Sequence, residues 1–200
     1  MSLRPEDVTF ALAVEDAVPV LLAGAATWWL TRSSLLRTLG LVGAVLVVTG
    51  GLAKVGWKLG AAGWGTDLTG LDAALFPLLG AGFACVVAAL VWRRWLALAG
   101  PVAGALALAL QDTWPCLVLT IVGSTATLVL GVVRSRGDHL AAALFAVALL
   151  SAYGLVPLAA RQSQTLALQW TEQSVNTLGQ AAFALAAWRL RPTISLRSTS

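Results

Sequence analysis

Five polar residues recur along the last apolar segment of this 200-residue chain: Gln169, Glu172, Gln173, Asn176 and Gln180. On a helix turning about 100° per residue, all five fall within an arc of about 100° and form one stripe. A carboxylate flanked by amides on one face can bind a polar solute, hold an ion or relay a proton. The same groups can also do no more than hydrogen-bond a neighbouring helix. Two more acids, Glu15 and Asp16, sit in the first apolar segment, about 7–9 Å from its start at helical rise. Lys54 and Lys58 lie one turn apart on a single face of the second. An ammonium at such a position needs a carboxylate or a route to the headgroups. Lys54, the deeper of the two, is expected to pair with an acid of the first or last segment, and Lys58 to snorkel. Tyr153 and Arg161 flank Pro157 at four-residue steps, so they share its face and would close the same cavity. Together these residues other than Lys58 and Pro157, ten in all, are the expected path for a ligand or ion.

Several well-defined chemistries lack their residues. The one histidine, His139, lies in a polar break, so a bis-histidine haem, a histidine-ligated zinc or a Ser–His dyad within the apolar segments is not expected. The last segment holds no lysine for a retinal Schiff base. No cofactor and no metal are expected. Cys85 falls in mid-segment and Cys116 at the edge of its own, at depths about 15 Å or more apart, which excludes a disulfide between them.

The elements that must carry these residues are set by composition. Hydrophobic residues make up 58% of the chain and charged residues 11%, with mean hydropathy +0.84. A soluble domain carries about 25% charge, so the solvent implied is lipid. Seven apolar stretches of a length suited to a bilayer core about 30 Å thick read as transmembrane helices over about 10–31, 38–59, 72–92, 95–110, 115–133, 140–160 and 165–190. The fold class expected is an all-α integral membrane protein, one seven-helix domain spanning residues 1–200. Glu6, Asp7, Glu15 and Asp16 make the start a poor signal peptide, so the first segment is expected to be retained. Residues 60–71 form the one long connection, with Gly63, Gly65 and Gly70, and are expected to fold over the bundle mouth.

Basic residues set the orientation. One set of breaks holds Arg32, Arg37, Arg93, Arg94, Arg134, Arg136, Arg189, Arg191 and Arg197, and the other side holds Arg4, Lys54, Lys58 and Arg161. Nine against four puts the N-terminus outside and the C-terminus in the cytoplasm of a multi-pass cell-membrane protein. Eight of the nine acids, all but Asp138, then lie on or near the outer side. Trp28, Trp29, Trp92, Trp95 and Trp188 mark the inner interface, and Trp57, Trp64, Trp114 and Trp170 the outer one. The net charge of +4 reflects these helix ends, and no nucleic-acid partner is expected.

The leading expectation is a protein that binds and moves a small polar solute or ion, proton-linked through Glu172 and Glu15. The outward-facing cavity would be lined by the first, second and seventh spans. An accessory subunit of a membrane complex, with a partner subunit or a second copy as neighbour, is the alternative. A lipid-headgroup enzyme using carboxylate and lysine as acid and base comes third.

Overall fold

A computed structural model describes residues 10–66, 68–159 and 165–191. The described residues are helical with short connections and no strands. In chain order the helices are α1 (Phe10–Glu15), α2 (Ala17–Thr31), α3 (Arg37–Trp64), α4 (Thr69–Ala73), α5 (Leu75–Val91), α6 (Ala99–Leu110), α7 (Trp114–Arg134), α8 (His139–Ala159) and α9 (Leu166–Arg189). A 3-10 turn, Arg94–Leu98, leads into α6.

Prolines explain where expected spans divide. Proline has no N–H and its ring crowds the carbonyl four residues back. Four residues before Pro19 stands Glu15, where α1 ends; four before Pro77 stands Ala73, where α4 ends. Pro101 likewise faces Ala97, in the 3-10 turn. Only α8 continues across its proline, Pro157.

The second span is longer than its sequence pattern. Helix α3 has 28 residues, about 42 Å at 1.5 Å per residue, and absorbs the start of the expected loop. Gly60 and Gly63 do not stop it; Gly65 does, at φ 60°, the left-handed conformation that glycine adopts freely. There the Thr66 N–H bonds Gly60 O and the Gly65 N–H bonds Ala61 O, closing the helix end. With α4 beginning at Thr69, little of residues 60–71 is left to act as a flap.

The helices pack in a ring, α2–α3–α5–α7–α8–α9 and back to α2, with α1 against α3 and α6 outside on α5 and α7. Glycines allow the close crossings. A Cβ on Gly43 would lie 2.7 Å from Gly82 O, and one on Gly131 would lie 2.5 Å from the Phe145 ring. Gly104 differs, with nothing within 4 Å. The apolar core gathers Ala26, Leu30, Val86, Leu90, Leu128, Phe145, Phe183 and the alanines 182, 184, 186 and 187. It occupies the half of the ring nearer the arginine-rich breaks.

Four stretches are long and apolar enough to cross a membrane: Ala11–Thr31, Arg37–Trp64, Thr69–Val91 and Trp114–Arg134. Arg94–Leu110 and His139–Leu155 are apolar but shorter. Helix α9 has 24 residues, and its polar stripe dilutes its hydropathy. Leucines and valines also cover the outside of the bundle; α6 exposes Val102, Leu106, Leu108 and Leu110, the surface of a protein solvated by lipid. The molecule is an all-helical bundle of membrane-protein character.

Candidate functional site

The end of the ring opposite the arginine-rich breaks collects charge from three elements. The break between α1 and α2 supplies Glu15 and Asp16, α3 supplies Lys54 and Lys58, and α9 supplies the polar stripe. Asp16 and Lys58 form an ion pair whose side chains are 10% and 6% exposed. Sequence reasoning had given the carboxylate to Lys54 and the headgroups to Lys58. The reason for the exchange is the length of α3. The helix runs six residues past Lys58, about 9 Å, so Lys58 is no end residue and its ammonium meets Asp16 inside the protein.

Lys54 is half-buried and has Asp16, Asp72 and Glu172 as its acidic electrostatic neighbours, with Lys58 as the like charge. Lys54 of α3 and Glu172 of α9 are thus within electrostatic range of each other. Glu15 takes a different partner: the Thr177 hydroxyl of α9 donates to Glu15 Oε1 at 2.6 Å. Thr177 was not among the expected site residues. Its angle on α9 falls about 40° outside the arc of the stripe, and its hydroxyl scarcely registers in a hydropathy profile.

Four oxygens at this end are excluded from solvent and accept no hydrogen bond: Glu15 Oε2, Asp16 Oδ2, Gln169 Oε1 and Glu172 Oε1. Asp16 Oδ2 has the Lys58 ammonium beside it. None of the other three belongs to an ion pair among the described residues, and a buried acceptor without a donor costs about 1–3 kcal/mol, more when charged. Gln169 is 5% exposed and precedes Glu172 by three residues, so the two bare acceptors are neighbours on one helix face. Gln173, Asn176 and Gln180 are half-buried and make no side-chain hydrogen bond to another described residue. At the four buried oxygens the arrangement is a packed polar centre and not an open cavity.

Two other expected residues lie elsewhere. Tyr153 is exposed, and its hydroxyl shares a 3.0 Å hydrogen bond with Thr125 of α7, so it joins α8 to α7. Arg161 lies outside the described residues. Asp112, just ahead of α7, accepts the Trp114 N–H at 3.0 Å.

Open clefts occur away from the polar centre. One of about 230 Å³ is lined by Asp138, Trp188, Arg189 and Arg191. Another of about 610 Å³ runs beside α6, from Pro77 and Gly104 to Gln111 and Asp112. Cys85 and Cys116 are both buried free thiols. No group of three or more His, Cys, Asp or Glu side chains placed to hold a metal ion occurs among the described residues. No family model matches this chain, and neither a curated protein nor a solved structure is significantly similar to it.

Proposed function

We propose that this is a seven-span protein of the cell membrane, N-terminus outside, that binds a small polar solute or ion at its acidic end and moves it in a proton-linked manner. The orientation rests on the arginine distribution given above. The function rests on one observation: Gln169 and Glu172 present adjacent buried acceptors without donors, and Lys54 faces Glu172 electrostatically from across the ring. Groups that only lock helices together have no reason to remain unsatisfied, because hydrogen bonding is what would do the locking. Acceptors held bare beside a cation can instead receive the donor groups of a solute. In the state described they are covered, so passage requires an opening, and the Pro19 break between α1 and α2 is a natural hinge.

The test uses the purified protein in vesicles loaded with a pH-reporting dye. Glycine, betaine, mannitol and alkali chlorides are added outside in turn. At least one should drive a change in internal pH, and Glu172→Gln should abolish it without loss of folding. Glutamine keeps the shape and deletes the charge and the titratable proton. A silent Glu172→Gln together with a destabilising Asn176→Leu would show that the stripe fixes assembly, which is the accessory-subunit reading.

A further inference from the structure

Among the described residues Glu15 forms no ion pair. Asp16, beside it in sequence, has Lys58. What Glu15 has is a neutral hydroxyl, Thr177, on Oε1, while Oε2 is excluded from solvent and accepts nothing. A hydroxyl orients a carboxylate but does not neutralise it, and an uncompensated charge at membrane depth is costly.

A second acceptor stands in the same residue. Helix α1 ends at Glu15, and the N–H that would bond the Glu15 carbonyl in a continuous helix belongs to position 19, which is proline. That carbonyl therefore cannot receive the ordinary i+4 bond. The broken helix thus leaves a carbonyl without its i+4 donor in the same residue whose carboxylate receives the hydroxyl of the facing helix. Interrupted spans use this kind of set to hold monovalent cations. Divalent ions call for more carboxylates or a dedicated cage, and no cluster of three ligating side chains occurs among the described residues.

From this geometry we infer that Glu15, with its own backbone carbonyl and Thr177, forms a binding site for a monovalent alkali cation at the α1–α2 break. The site is distinct from the Gln169–Glu172 acceptors. Its use as a coupling ion rests on the proposed solute-moving function, whereas binding itself does not. Binding takes the cation from water and places it on Glu15 Oε2; no bond in the protein breaks.

The test titrates NaCl and KCl into the purified detergent-solubilised protein by calorimetry, with choline chloride as the ionic-strength control. One alkali ion should bind saturably and choline should not. Glu15→Gln should weaken affinity at least about tenfold, and Thr177→Val by several-fold, with Thr177→Ser restoring it. Pro19→Ala supplies the missing N–H to the Glu15 carbonyl without touching the carboxylate, so it should weaken binding even if Glu15→Gln does not fold. No saturable heat with either ion, or unchanged affinity in Glu15→Gln or Pro19→Ala, overturns the site. Failure of cation binding beside pH changes that still require Glu172 overturns this site alone. Intact cation binding with no solute-driven pH change overturns the proposed function alone.

Discussion

The two halves of α9 show two ways of treating polar groups inside one bundle. Its first half carries Gln169, Glu172, Gln173, Asn176 and Thr177; its second, past Gln180, is rich in alanine, with Ala186 and Ala187 fully buried. Around the alanine half several helix ends find partners. At the end of α5, Trp92 in the left-handed conformation and Arg93 both donate to Ala88 O. The Ser34 hydroxyl takes Ala89 O, and the Arg134 guanidinium takes Leu90 O. Asp138 binds Arg189 through two bonds of 3.0 and 3.2 Å and also caps α8. Around the polar half the side chains are as numerous, yet three buried acceptors go without donors. The two ends of the ring thus differ in how completely their buried polar groups are paired.

The sharpest way to break this contrast is to ask which end faces outward. Cys85 and Cys116 are buried, so an added cysteine can be read against a low background. Gly63→Cys at the polar end should react with an impermeant maleimide in intact cells, and Arg136→Cys at the other end only after lysis. Both positions are exposed, whereas Ser135, at 3% exposure, would be protected on either side. The reverse labelling would invert the orientation and, with it, the outward access of the proposed site.

The next largest effect belongs to the buried ion pair. Lys58→Met leaves Asp16 uncompensated and should cost about 3–5 kcal/mol of stability, read as a large fall in thermal midpoint in detergent. Adding Asp16→Leu should recover part of that loss. Additive effects of the two substitutions would mean that the pair is not coupled. The same experiment on Lys54→Met should give a smaller change, which reverses the ranking that depth in the sequence suggested.

That reversal shows what the sequence carried and what it did not. The ends of the apolar runs lie close to the ends of α5, α7, α8 and α9, because each run stops where arginine or a turn residue makes apolar burial impossible. The stripe on α9 was legible from angular spacing alone. The length of α3 was not, because Gly60, Gly63 and Gly65 look alike in one dimension and only Gly65 takes a positive φ. The consequence of Pro19 for Glu15 was legible in principle, since the four-residue offset is a property of the backbone. Thr177 could be found only by knowing which helix comes to lie beside α1.

Steric contrasts come third. Gly43→Ala puts a methyl group into the backbone of α5 and should destabilise by about 1–3 kcal/mol. Gly104→Ala, in open space beside α6, should fall within about 0.5 kcal/mol of the parent protein. Equal effects in thermal unfolding would show that α6 packs against something at Gly104.

The smallest effect is electrostatic and sits at the arginine-rich end. The Ala141 N–H and then the Arg189 guanidinium hold the Asp138 carboxyl below the ordinary carboxylate range. A depressed folded-state value stabilises above the unfolded-state one and is lost as pH falls through the folded one. The thermal midpoint should therefore decline slightly below about pH 4, and Asp138→Asn should remove that part of the decline. Because the group is exposed, added salt should shrink it. A salt-insensitive decline would assign it to other carboxylates.

Closure of the ring by α2 against α9 also sets a schedule for manufacture. The hydrogen bond between Glu15 and Thr177 joins residues 162 positions apart. At about 5–20 residues per second, roughly 8–32 s of synthesis separate them. Through that interval Lys58 has already emerged to meet Asp16, but nothing from α9 exists to cover Glu15. A ribosome-bound chain stopped before α9 would hold a half-open bundle with its acids unshielded, and α9, made long after α1, is the helix that completes the polar centre.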